Sequence, residues 1–476
     1  MPVCNLPNDP SLENLKNRAK TLQRLVRADD AGARSVVDEF HPRRPSSDGF
    51  SRADAQLVLA RQYGFDSWTK LRRHLDVVEQ HTRRPDAGPT DLAALACLNY
   101  GEDDPARWQR ARELLDADPA LTRTNIHAAA AAGDAAAVRD LLARDPSLVD
   151  ADGGGYGWVP LMYATYSRLP GVDTTDAART LLDAGADPNA GYLWFGLTWP
   201  FTALTGAFGG GEGGQPPHAN ALGLARLLLE RGADGNDAQT TYNRGLLGWD
   251  VDTPDHLELL GEFGFGGGEG GPWHRLLGHT HPSPRQLAEN ELRNAAEKNR
   301  PRWARLMIDA GVDVTALGTN HPTLEGDTAL QLALRNGNDA IVGLLLDAGA
   351  PRDADDAVYD VLGACMRGDR DGVDPALVGA AIAHRPHHVA TAADRGRVGA
   401  VRLMAELGFD VNAPDRSVPH RATALHYAAF NGDEPMVNAL LALGADRAAT
   451  DASYQGTPAG WADHAGHDEL SRRLAT

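Results

Sequence analysis

The sequence predicts an all-α chain: a solenoid of stacked helix pairs with long finger loops, preceded by a small helical module. Three observations carry this. The stretch 422–447, ATALHYAAFNGDEPMVNALLALGADR, encodes two short helices back to back. Leu425, Ala428 and Ala429 share a face in the first, Asn431-Gly432-Asp433 ends it, Met436, Val437, Leu440 and Leu441 stripe the second, and Gly444 supplies the left-handed stop. A pair this small cannot bury its own apolar face, so it requires neighbours stacked on both sides. Finally, 476 residues with 42% hydrophobic content outgrow one ordinary core, a limit that does not bind a stack in which each repeat touches only its neighbours.

Residues 1–84 do not follow the repeat. Ser11 caps a helix carrying Leu12, Leu15, Ala19, Leu22 and Leu25 on one side and Lys16, Arg18, Lys20 and Arg24 on the other. A second helix is expected over about 52–63 and a third over 69–78, joined through Gly64-Phe65-Asp66-Ser67-Trp68, with Phe65 and Trp68 as packing residues. The linker between the first two helices holds Pro42-Arg43-Arg44-Pro45. Residues 85–90 form a polar linker, and the array occupies 91–476.

Within the array a degenerate pair, 92–98 with 106–115, precedes clearer pairs that close at Leu142, at Gly185-Ala186-Asp187 and at Gly232-Ala233-Asp234. The pattern weakens after this: 255–263 reads as an outer helix whose partner, around 242–249, has little consensus. Residues 289–299 with 303–311, and 328–333 with 342–350, restore it; 358–367 with 375–383 diverges again; 389–396 with 398–408 leads into the sharpest copy. Residues 457–476 form a terminal cap whose Asp468, Glu469, Arg472 and Arg473 give the polar outer face that the last repeat needs.

The motif Thr423-Ala424-Leu425-His426-x-Ala428-Ala429, then Gly432, then Leu440-Leu441 and Gly444-Ala445-Asp446, resembles an ankyrin repeat. The resemblance extends over roughly 91–476, is strongest at 422–448 and 327–353, and is weakest at 236–325 and 354–385. The order of helix, then ADAQLVLARQYGF, then SWTKLRRHL, is similar to a helical module found ahead of ankyrin arrays in some bacterial proteins. The resemblance implies a structural role for His426, tying neighbouring turns together. It also implies recognition of a partner protein by the concave face and its fingers. Only four lysines against abundant Arg, Ala and Gly fit a high-GC bacterial genome.

The departures from the repeat locate the candidate site. FGGGEGG occurs twice, at 208–214 and 265–271, followed by Pro216-Pro217-His218 and by Pro272-Trp273-His274. The first copy is an insertion between the two helices of its own repeat; the second follows an outer helix. Five glycines per copy cost conformational entropy and need compensation. Positive-φ backbone around a ligand, a glutamate held for a cationic group or as a base, and plain surface loops or relics of duplication all remain open. Neither copy is followed by Gly-Lys-Ser/Thr or lies between a strand and a helix, so phosphate-cradle fingerprints fail. Aromatics concentrate over 156–273, several of them in the turns between repeats. The candidate binding residues are therefore Trp158, Tyr192, Trp194, Trp199, Glu212, His218, Tyr242, Arg244, Glu269, Trp273 and His274. For any single aromatic, packing between enlarged fingers competes with this reading.

The alternative is an enzyme or small-molecule binder between the two loops, with Glu212 and Glu269 as acid and base and His218 and His274 as polar partners. That reading requires the two glutamates to converge. His274, His279 and His281 beside Glu269 lack the spacing of a helical ligand pair, and neither a metal nor another cofactor is expected. The net charge of −19 is uneven: residues 1–84 carry 15 Lys and Arg against 11 Asp and Glu, about +4, leaving about −23 for the rest. An acidic array repels phosphate backbones, so nucleic acid is expected only through the basic module, with Arg43, Arg44, Arg72 and Arg73 as contacts, unless that module docks on the acidic array instead. Cys4, Cys97 and Cys365 lie far apart without CxxC spacing, there is no leader pattern at MPVCNLPNDP, and no apolar run reaches 18 residues. A reduced, cytoplasmic setting without a membrane span is the expectation.

Overall fold

A computed structural model describes residues 6–7, 10–84, 91–101, 103–249, 251–319 and 326–475; the expected linker at 85–90 and Cys4 lie outside them. Among the described residues helices dominate, joined by three strands of two to four residues. The chain divides into two compact units, one of residues 1–247 and 259–284 and the other of 248–258 and 285–476.

The first unit opens with four helices, Leu12–Arg27, Ala31–Phe40, Arg52–Gln62 and Trp68–His81. Each start is fixed chemically: the Ser11, Asp30, Ser51 and Ser67 side chains accept from backbone N–H groups three residues on, and Asp54 returns the bond to Ser51. Only three helices were expected in this module. The additional one, Ala31–Phe40, forms because Asp30 caps it and Ala33 and Val37, four residues apart, are both buried. Val26, Val37, Phe50 and Val58 close one core, and Tyr63, Phe65, Leu71 and Leu75 a second, with Trp68 packed on both.

This module is attached to the array. Thr82–Arg83 pairs in parallel with Leu193–Trp194, and Gly191–Tyr192 pairs antiparallel with Phe201–Thr202. Val78, Leu193 and Leu277 form a small shared core, the Phe65 ring lies 4.5 Å from that of His279, and His279 Nε2 donates to the Tyr63 carbonyl at 3.0 Å. Helix pairs follow: Leu92–Ala96 with Pro105–Ala117, Ile126–Ala131 with Ala135–Arg144, Pro160–Tyr166 with Thr175–Asp183, and Ala203–Phe208 with Ala221–Glu230. The expected helix at 242–249 begins earlier, at Ala238–Gly245, because the Asp237 carboxylate accepts from Thr240 N and starts it there.

Among the described residues the second unit stacks six pairs, from Pro284–Lys298 with Pro301–Asp309 to Pro458–His464 with Asp468–Leu474. Its core runs through Leu362, Val389, Met404, Leu425, Met436 and Leu440. The helix expected at 375–383 is shorter, Val378–His384. His426 Nε2 bonds the Gly456 carbonyl of the next turn at 3.1 Å, in keeping with the tie implied for it.

Candidate functional site

The fingers of the first unit are built by glycine and aspartate turns. Gly153 and Trp158 exchange backbone hydrogen bonds of 3.1 Å across a hairpin in which Gly154 and Gly157 take φ of +64°. The Tyr163 hydroxyl pins it, donating to the Gly153 carbonyl and accepting from Tyr156 N, both at 2.9 Å. In the next finger the Asp187 carboxylate accepts from Asn189 N at 2.9 Å, and strand Gly191–Trp194 follows. Trp158 then stacks on Tyr192 at 5.0 Å and 21°.

Helix Pro272–Leu277 brings in Trp273, whose Nε1 donates to the Asn189 carbonyl at 2.9 Å and whose ring meets His81 edge-on at 5.3 Å. Together with the end of the N-terminal module these segments bound a cleft of about 380 Å³. Trp158, Met162, Tyr192, Trp273 and the exposed Leu276 form its walls, and Asp150, Asp152, Asp187, His81 and Arg83 supply charge and polarity. Arg83 Nη2 lies 3.6 Å from Asp152 Oδ2, and its Nε donates to the Gly157 carbonyl at 3.4 Å. Asp150 Oδ1 accepts from Asp187 N at 3.2 Å. Burial, and then Arg83, push His81 below the ordinary histidine range, so it adds no charge near neutrality. Three carboxylates thus line the same cleft as one resident guanidinium, which sits at Asp152, a lining suited to a cation.

Three of the sequence-predicted residues, Trp158, Tyr192 and Trp273, come together here. The rings of Trp158 and Tyr192 are only 3% and 2% exposed, so most of each serves packing between fingers. Trp194 packs on Phe195 and Phe201. A second group gathers on the first glycine loop, where Trp199 meets Tyr242 edge-on at 5.6 Å and the Tyr242 hydroxyl donates to Glu212 Oε1 at 3.0 Å. Arg244 is on the same helix as Tyr242. His218 is 3% exposed: Nε2 contacts Thr174 Oγ1 at 2.9 Å, Nδ1 accepts from Asn220 N at 3.0 Å, and burial lowers its pKa to about 4.

The second loop sits over a different turn. Its Gly271 N donates to Asp234 Oδ2 at 2.6 Å, and that oxygen lies 3.1 Å from His274 Nδ1. His274 packs against His281 at 4.3 Å beside a cavity of about 20 Å³, room for roughly one water. Glu212 and Glu269 are both exposed, Glu212 accepting from the Tyr242 hydroxyl; neither lines the cleft or the small cavity. Among the described residues no group of three or more His, Cys, Asp or Glu side chains is placed to hold a metal ion.

The glycine repeats have a packing explanation. Gly209, Gly210, Gly211 and Gly214 in the first loop, and Gly266, Gly268 and Gly270 in the second, have positive φ. A Cβ on Gly209 would lie 2.5 Å from the Pro216 carbonyl oxygen, one on Gly210 would lie 2.9 Å from that of Asn243, and one on Gly270 would overlap the His274 ring. His81, Arg83, Asp150, Asp152 and Asp187 were not among the expected site residues. They come from the end of the basic module and from the finger turns.

Stacked short helix pairs joined by projecting turns define a helical repeat protein. Residues 325–357 match the family model for an ankyrin repeat, and residues 389–441 that for ankyrin repeats in many copies. The chain thus carries ankyrin repeats over these residues, and such repeats support a protein-interaction role in general terms. No curated protein matches it significantly. Among the described residues no helix is long and apolar enough to cross a membrane.

Proposed function

We propose that the chain recognises a partner protein without covalent chemistry, through the fingers of its first unit, with the cleft between the fingers and helix Pro272–Leu277 as its centre. The observation that supports this is the convergence of Trp158, Tyr192 and Trp273, from three separate segments, on one cleft of about 380 Å³. Aromatic walls with a polar rim are the anatomy of an energetic centre in protein interfaces. The N-terminal module completes the wall through His81 and Arg83, so it takes part in recognition rather than serving as an independent appendage.

A photo-crosslinking residue placed at Leu276, which is 39% exposed inside the cleft, tests the reading against the same residue at Ala143, exposed near the end of an outer helix. A protein captured from position 276 in the native cell and absent from position 143 is the expected result. Equal capture from both positions would defeat the assignment of the cleft.

A further inference from the structure

We infer that the occupant of this cleft is an arginine side chain presented by a segment of the partner protein. The inference rests on the reading of the cleft as the recognition surface and goes on to name what it reads.

Charge imbalance comes first. Asp152 has Arg83 at 3.6 Å, whereas among the described residues Asp150 and Asp187 form no ion pair: they are linked to each other through Asp150 Oδ1 and Asp187 N at 3.2 Å. Two carboxylates on adjacent fingers therefore share a rim with no cation of their own. A negatively charged array lowers the cost of bringing a positive group there and speeds its approach.

The walls choose among cations. Trp273, partly exposed in the wall, offers aromatic surface beside the carboxylates, whereas Trp158 and Tyr192, 3% and 2% exposed, are packed against each other. A guanidinium pairs with carboxylates in a planar fork and stacks on aromatic faces while remaining charged, whereas an ammonium is a compact, strongly hydrated point charge. The chain supplies its own precedent in Arg83, whose guanidinium is received here by the Asp152 carboxylate and the Gly157 carbonyl. At about 380 Å³ the cleft lies within the range of about 300–1,000 Å³ that encloses a whole ligand, so flanking backbone of the partner enters with the side chain.

The test pans a phage-displayed random dodecapeptide library on the full chain, with Leu276→Arg, which fills the cleft, and Asp150→Asn/Asp187→Asn in parallel. Asparagine keeps the Oδ1 acceptor at position 150, and circular dichroism checks that both variants fold. Peptides lost on Leu276→Arg are expected to share an arginine. Changing it to Ala, or using the double Asn variant, should weaken binding at least tenfold, and changing it to Lys several-fold. Cleft-dependent peptides that lack arginine, that bind equally with Lys, or that ignore the Asn variant would overturn the inference while leaving the cleft as a recognition surface. If no recovered peptide is sensitive to Leu276→Arg, both readings fall.

Discussion

His426 Nε2 donates to the Gly456 carbonyl at 3.1 Å, while its Nδ1 accepts from Thr423 N at 3.1 Å. One neutral imidazole thus caps its own helix and bonds the turn of the next repeat, and burial lowers its pKa in agreement with that form. His426→Ala leaves the Thr423 N–H and the Gly456 carbonyl without this partner and is expected to destabilise the second unit by about 1–3 kcal/mol. The fluorescence of Trp461, 5.3 Å from the imidazole, reports it in a urea titration. An unchanged midpoint would remove the tie from the account of stability.

Glu297 is expected to matter more. Its Oε2 accepts from Arg335 Nη2 at 3.0 Å and Asn336 Nδ2 at 2.8 Å, its Oε1 from Arg395 Nη2 at 3.1 Å, and the Arg335 side chain is 1% exposed. Burial alone would raise this carboxyl, but Arg335, Arg395 and Arg385 hold it down at about 2. Its folded pKa lies below its unfolded one, so its contribution is present above about pH 4.5 and is lost as pH falls toward 2. Glu297→Ala removes the carboxylate that two buried guanidinium groups share, leaving Arg335 with Asp327 and Arg395 with the carbonyl of residue 297, and should cost about 3 kcal/mol at pH 7, whereas removing one partner of an exposed pair such as Arg367–Asp339 should cost at most about 1. Comparable losses from the two variants in denaturant titrations would contradict this.

The glycine loops make a position-by-position prediction. Gly210→Ala meets both a positive φ and the Asn243 carbonyl at 2.9 Å, while Gly214→Ala, at φ +60°, has nothing within 4 Å of the new methyl. Gly214→Ala should cost about 1 kcal/mol and Gly210→Ala clearly more. Calorimetry that finds the two equal would mean that the loop shifts freely and is not held by close packing.

Acid should loosen the first unit by a separate route. Burial, helped by Arg168 at His218 and by His274 at His281, lowers both to about 4, against an ordinary 6.5. Between those values the unfolded chain binds more protons than the folded one. Stability from these two groups is therefore complete above pH 6.5 and lost as pH falls toward 4, roughly 2–3 kcal/mol for each. Melting temperature measured from pH 7.5 to 4.5 should fall, with a shallower slope in His218→Gln/His281→Gln. A slope identical to wild type would exclude these histidines as its source.

Much of the fold was legible because a repeat states its rule many times: Gly444, Leu440 and His426 together describe a unit that recurs. The helix Ala31–Phe40 was missed although its Asp30 cap and Ala33–Val37 spacing are local signals. The strands were missed for a deeper reason, since two to four residues are too few for alternation to show and one of their two pairings, Thr82 with Leu193, joins positions more than 100 residues apart. The same holds for the cleft. Its aromatics stood out by clustering in the turns, but Arg83 and Asp152 look like an ordinary linker end and an ordinary turn until the chain brings them within 3.6 Å. Glu212 and Glu269 drew attention by repetition, and among the repeated glycines Gly209, Gly210 and Gly270 are required by tight packing that only the folded chain displays.

Removing residues 1–84 should damage the first unit and not merely shorten the chain. The deletion strips Thr82–Arg83 from the edge of strand Gly191–Trp194 and takes Val78 from the core it shares with Leu193 and Leu277, which are 0% and 2% exposed in the intact protein. It also removes the Tyr63 carbonyl that His279 bonds and the His81 ring that covers Trp273. An uncovered strand edge beside newly exposed leucine and tryptophan is a site for proteolysis and self-association. The truncated chain is therefore expected to be nicked faster between 194 and 202 and to bind more of a hydrophobic dye, while the melting of the second unit, followed by Trp461, stays where it was. If the truncated protein resists protease as well as the full chain, the module is a passenger and its wall of the cleft is dispensable.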